Sequence, residues 1–287
     1  MKGRTSFLVI ILWACARLAL GQLPTAPCSF SNFDVPNSPA TAVEGITNSG
    51  ILAGSYLDQN GNNHGFVFQN NSFTMIDAPQ SLFTEVRGIN NLGWLIGAFV
   101  DSQHYRQHGF VLRGDRFSTI DVPGSSNTQA EGANDQGVIV GTFEDSTGQH
   151  GFALIGARFA QIDFPGASRT RVRGITNFGD IVGVYGDANG GNHGFVLSNG
   201  NFIKIDVPGA SDTSALGINN SRVVVGNYFD SAGGHGFIYQ NASFSMADFP
   251  GGSFSTIPFA INRNAVMVGS YVNSSGMQHG FVATGCY

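Results

Sequence analysis

The sequence predicts an all-β protein, a six-bladed β-propeller of four-stranded antiparallel blades, and three observations carry that prediction. The first is a unit written six times. Its Asp-x-Pro signature falls at Asp34, Asp77, Asp121, Asp163, Asp206 and Asp248, and its His-Gly-Phe signature at His64, His108, His150, His193, His235 and His279, with a period of 42 to 44 residues. Self-similarity on that scale marks a solenoid or a propeller. The second is the content of each copy, four short segments of strand composition joined by tight turns. The third is the ends of the chain: the sixth copy stops after its third strand, and the missing fourth strand stands by itself at Phe30 to Val35. A right-angled β-solenoid normally has shorter coils, and two packed sandwiches have no reason to repeat so evenly.

In chain order, residues 1–21 read as an export signal. Lys2 and Arg4 precede the apolar run Phe7 to Ala16, and Ala19-Leu20-Gly21 offers a small-x-small cleavage site before Gln22. The run is shorter than the ~20 residues a membrane-spanning helix needs, so no stable membrane insertion is expected. A competing possibility is a lipoprotein box ending in Cys15, although Trp13 sits where such boxes prefer a small residue. Residues 22–27 are read as a short linker and residues 28–287 as the propeller. Cleavage would remove Lys2, Arg4 and Arg17 and no acids, leaving 11 basic against 19 acidic residues and a net charge of −8. That balance argues against nucleic acid and anionic membranes as partners.

The fourth copy shows the blade most plainly, with strands a (Arg171 to Ile175), b (Ile181 to Tyr185), c (His193 to Leu197) and d (Phe202 to Val207). Asn199-Gly200 between c and d is a strong two-residue hairpin signal. Forty glycines among 287 residues supply the turns. Ile46, Ile89, Ile175, Ile218 and Ile261 on strand a and Phe66, Phe110, Phe152, Phe195, Phe237 and Phe281 on strand c are expected to fill the space between blades. Glycines such as Gly183 on strand b should admit aromatic rings from the next sheet.

Superposing the copies brings Cys28 and Cys286 to the same position in the interrupted last hairpin, so a Cys28–Cys286 disulfide should close the ring. An exported protein permits it. In the chain-entropy model it contributes on the order of 4 to 5 kcal/mol, less any strain.

Centring the c–d hairpin on its turn places His64 opposite Asp77, His108 opposite Asp121, His150 opposite Asp163, His193 opposite Asp206, His235 opposite Asp248 and, across the closure, His279 opposite Asp34. Six such pairs suit acid–base or metal chemistry, or they tether each blade end as His and Asp do in WD-repeat propellers. The tether is favoured, because sheets pack ~10 Å apart and zinc needs nitrogen within ~2.1 Å. The b–c turns resemble calcium loops, best at Asp58. Each offers one carboxylate where calcium takes about 6 to 8 oxygens, and a tight turn selects Asp and Gly for backbone reasons alone.

Variation between copies is the better guide to function. The residue before the strand-a glycine runs Glu44, Arg87, Glu131, Arg173, Leu216, Phe259 around the ring. Strand a should lie next to the central channel, where alternating signs form inter-blade ion pairs or a polar ligand site. The second copy has an extended b–c loop with His104, Tyr105 and Arg106, suited to a sugar or a partner protein, or simply a decorated turn.

Gly88-Ile89-Asn90-Asn91-Leu92-Gly93, Gly217-Ile218-Asn219-Asn220 and the six His-Gly-Phe triplets resemble the bacterial HAF repeat over residues 28–286. The resemblance implies an exported bacterial protein and carries no activity or site residues with it. The sixth copy departs furthest, with Ala260 for Gly and Arg263-Asn264-Ala265 in place of Asn-x-Gly, which puts its a–b hairpin in doubt. No elbow, zinc, phosphate-loop or dinucleotide motif is present. The expectation is therefore a secreted or periplasmic monomer without cofactor, metal or catalytic residues, binding an extracellular glycan or protein. The alternative is a propeller hydrolase or lyase on extracellular polysaccharide that uses Glu44, Glu131, Arg87, Arg173 and His104.

Overall fold

The computed structural model describes residues 23–287, and the export signal expected at residues 1–21, with Cys15, lies outside them. After β1 (Ser29–Phe33), blade one is β2 (Ala40–Ile46), β3 (Leu52–Leu57), β4 (Asn63–Gln69) and β5 (Ser72–Ile76). Blade two is β6 (Ser81–Ile89), β7 (Leu95–Asp101), β8 (Gln107–Arg113) and β9 (Arg116–Ile120). Blade three is β10 (Asn127–Ala133), β11 (Ile139–Asp145), β12 (Gly148–Ile155) and β13 (Arg158–Ile162). Blade four is β14 (Arg169–Ile175), β15 (Ile181–Gly186), β16 (Asn192–Ser198) and β17 (Asn201–Ile205). Blade five is β18 (Asp212–Ile218), β19 (Val224–Asp230), β20 (Gly233–Gln240) and β21 (Ser243–Met246), and β22 (Ser255–Ile261), β23 (Met267–Val272) and β24 (Gln278–Thr284) begin blade six.

Each blade is one four-stranded antiparallel meander, and β1 completes the sixth in the order β1-β24-β23-β22. The protein is a six-bladed β-propeller closed by its own N-terminal strand. Ser29 pairs with Thr284, and just beyond that ladder Cys28 and Cys286 form a disulfide with Cα atoms 4.3 Å apart. It spans 258 residues of sequence, so loop closure alone is worth on the order of 5 kcal/mol. Leu23 to Ala26 run along the outer edge of blade five, where Thr25 bridges Met246 in parallel and Ala26 N–H donates to the Met246 carbonyl at 2.8 Å.

Packing follows the repeat. The strand-c phenylalanines are fully buried in all six blades. The ring they bring to the strand-b glycine comes from the same blade, where Gly183 pairs with Phe195, and not from the next sheet as the sequence suggests. A Cβ on Gly183 would press into the Arg171 carbonyl and sit 2.7 Å from the Phe195 ring. The strand-a isoleucines also differ from expectation. They pack against the inter-blade clusters on one side, but on the other they line the channel, since strand a runs nearest the axis.

The outer strands end earlier than the sequence suggests, β1 at Phe33 and β17 at Ile205. The next residues leave the ladder for side-chain bonds. Asp34 turns to His279 and to the Gly280 N–H, and Val35 N–H donates to Thr41 Oγ1 at 3.1 Å. The sixth a–b hairpin keeps the geometry of the others: β22 pairs with β23 through the same bulge, and Ala265 takes a positive φ of 59°, as glycine does in blades one to four and Arg222 in blade five.

Candidate functional site

Every innermost strand carries a β-bulge at the same place, between Val43 and Gly45, Val86 and Gly88, Ala130 and Gly132, Val172 and Gly174, Ala215 and Gly217, and Pro258 and Ala260. A bulge re-aims the extra residue. Here the extra residues are Glu44, Arg87, Glu131, Arg173, Leu216 and Phe259, and all six line one axial cavity of ≈ 120 Å³. The next glycine is what lets neighbouring strands close in, since a Cβ on Gly45 would lie 2.8 Å from the Ile89 nitrogen of the next blade. The channel is thus charged on the side of blades one to four and apolar on the other.

Between blades, Arg173 Nη1 lies 3.0 Å from Glu131 Oε2 and Arg87 Nη1 lies 3.7 Å from Glu44 Oε2. The tightest partner of Arg87 is one the sequence reading missed, Glu85 Oε2 at 2.5 Å on its own strand. Arg87 is the extra residue of its bulge, so strand alternation does not place it beside Glu85 and the spacing carries no signal of the pair. Because Arg87 leans to Glu85, Glu44 is left buried at 9% exposure with incomplete compensation. Burial pushes its carboxyl up to about 7, against the lowering influence of Arg87 and with Glu85 adding to the rise. Burial alone would lower the Arg87 guanidinium, but Glu44, Glu131 and Glu85 outweigh it and hold it above its ordinary range.

Below this ring the isoleucines form an apolar waist, and at the lower mouth the a–b turns form a belt of side-chain amides. Asn90, Asn134, Asn219 and Asn262 each donate from Nδ2 to a carbonyl of the next blade at 3.0 to 3.2 Å. Asp135 Oδ2 accepts from both Asn91 and Asn177. These groups are engaged with one another.

On the upper face, where the b–c and d–a loops lie, each repeat histidine meets its aspartate. Nδ1 lies 2.7 to 2.9 Å from Asp77, Asp121, Asp163, Asp206, Asp248 and Asp34 in turn. A second acid also faces five of them. Nε2 lies 3.2 to 3.6 Å from Asp58, Asp101, Asp145, Asp187 or Asp230, and in blade six Asn273 takes that place at 2.8 Å. Rings such as Tyr185 lie over the imidazoles. The turn acids are also held by their own loops: hydrogen bonds from the side chain and backbone of Asn62, then Asn60, keep Asp58 well below the usual carboxylate range. Among the described residues no cluster of three or more His, Cys, Asp or Glu has the geometry to hold a metal.

In the extended loop His104 and Tyr105 stand out in solvent, with Tyr105 at 74% exposure. Arg106 does not join them. Its guanidinium bonds the carbonyls of Ser126 and Ser125 at 2.9 and 2.8 Å, pinning the loop to the next crossover.

No family model matches the chain, and no curated protein does. Solved structures do share its fold. An Aleuria aurantia lectin mutant in complex with Fucalpha1-6GlcNAc is 12% identical, with 88% of this chain and 93% of that one covered and a TM-score of 0.54. TolB from Acinetobacter baumannii is 10% identical over 83% of this chain and 64% of that one, with a TM-score of 0.59. The β-propeller domain of the Trilobed protease from Pyrococcus furiosus, described as having an open velcro topology, is 9% identical over 86% and 96%, with a TM-score of 0.54. Likeness at that identity speaks for the fold, and function sits in the site.

Proposed function

We propose that this is an exported HAF-repeat binding module that takes a carbohydrate or a protein on its upper face and leaves it intact. The observation that carries the proposal is a division of labour. The His–Asp pairs and the strand-c phenylalanines recur in every copy and hold the blades in shape, while the residue at the strand-a bulge changes from copy to copy and lines the upper channel. The channel charges face one another, Arg173 with Glu131 and Arg87 with Glu85 and Glu44, and so offer a polar surface. The Cys28–Cys286 disulfide fits an oxidising compartment, which agrees with cleavage before Gln22. Carbohydrate is the ligand class to test first, since a lectin of this fold is seen with a fucoside.

One observation favours a second reading, a polysaccharide hydrolase or lyase. Glu44, pushed up to about 7, has the acidity a general acid needs at neutral pH. Glycan-array binding by the mature chain, Gln22 to Tyr287, followed by mass spectrometry of each hit after incubation, separates the two. Binding with recovery of intact glycan is the expected result. Shortened or unsaturated products would replace the binding module with the enzyme.

A further inference from the structure

Blade one carries the smallest side chains at the upper channel wall. Ala40 and Ala42 stand where β6 has Phe83 and Glu85, and where β14 has Arg169 and Arg171. On blades one, two and three the polar residue that opens strand c bonds across to this layer of the next blade. Asn63 Nδ2 donates to Glu85 Oε1 at 3.2 Å, Gln129 Nε2 to Gln107 Oε1 at 2.6 Å, and Arg171 Nε to Gln149 Oε1 at 2.5 Å. The equivalent residue of blade six, Gln278, lines a notch with Ala42 instead. Its amide has no hydrogen-bond partner among the described residues.

The missing side chain leaves a notch of ≈ 220 Å³, walled by Ala42, Gln278, Asn63, Glu44, Glu85 and Arg87. A cavity of ~150 Å³ holds a benzene-sized ring, so this one takes a single six-membered ring with its substituents. An anion in the notch would face Glu44 and Glu85, and a cation would face Arg87. A neutral polyol meets neither penalty, and each hydroxyl both donates and accepts, as this mixed wall requires.

We propose that the notch between blades six, one and two is a subsite for one neutral, pyranose-sized sugar, with its hydroxyls bonded to Gln278, Asn63 and Glu85. This rests on the carbohydrate-binding reading above and narrows it to one place. At the junctions of blades one and two, two and three, and three and four, the equivalent place holds these bonded side chains.

The test uses the mature chain in saturation-transfer NMR with glucose, galactose, fucose and N-acetylglucosamine, run beside the glycan array. Ala42→Gln supplies Gln278 with the partner that Gln129 gives Gln107 and fills the notch; Gln278→Ala leaves it open but removes its amide. Wild-type protein should bind at least one of the sugars. Ala42→Gln should weaken that binding at least tenfold at an unchanged melting temperature, and Gln278→Ala several-fold. If glycans bind and both variants bind them like wild type, the notch is overturned and the binding module stands on another surface. If neither the array nor any of the sugars shows binding, the carbohydrate reading falls and the notch falls with it. Should Ala42→Gln fail to fold, Gln278→Ala decides alone.

Discussion

Glu44 is the residue at which the chemistry of the channel is most exposed to measurement. Its carboxyl is raised in the folded state, so the fold favours the protonated form. The stability this contributes is fully present below the unfolded value near 4.5 and is lost as pH rises through about 7. Glu44→Gln keeps the neutral amide at every pH. Urea unfolding should therefore show the variant gaining on wild type between pH 4.5 and 7.5, by on the order of 2 kcal/mol. A constant difference across that window would mean that Arg87 compensates Glu44 fully. The sequence placed Glu44, Arg87, Glu131 and Arg173 around one channel because the repeat fixed their equivalence. It did not disclose that Glu85 competes for Arg87, since that depends on which face a bulge presents.

At the scale of the strand, the blade was legible because turn residues punctuate it and because a two-residue c–d turn leaves one register. That register places His193 across from Asp206, where the structure has them bonded. The tether between blades was not legible. Thr41, Thr84, Thr128, Thr170, Thr213 and Thr256 recur in all six copies, yet threonine is ordinary in a strand and drew no notice. Each accepts, through Oγ1, the backbone N–H just beyond the preceding blade's aspartate, at 2.9 to 3.1 Å. This is how each outer strand is tied to the next innermost one. Thr170→Val keeps the shape and removes the acceptor, leaving the Phe164 N–H unpaired. The variant should lose about 1 to 3 kcal/mol in urea unfolding; a loss within error would show that the crossover does not depend on this bond. The second acid beside each histidine was missed for a related reason. Asp58 and its equivalents have ordinary turn chemistry, and only the folded loop brings them to Nε2 as well.

For the whole molecule, closure follows from a chain that begins with the strand its last blade lacks. The disulfide, the amide belt and the edge contact of Thr25 with Met246 then hold the same ring at the outer hairpin, the lower mouth and the outside of blade five. With the lower face so engaged, the proposed recognition belongs to the upper face. Hydrogen–deuterium exchange of the mature protein, with and without the glycan that scores highest on the array, tests that division most directly. The account predicts new protection in the upper halves of β2 and β6 and in the segment around Gln278, with the turns at Asn48, Asn91, Asp135, Asn177 and Asn220 unchanged. Protection confined to those lower turns would contradict it.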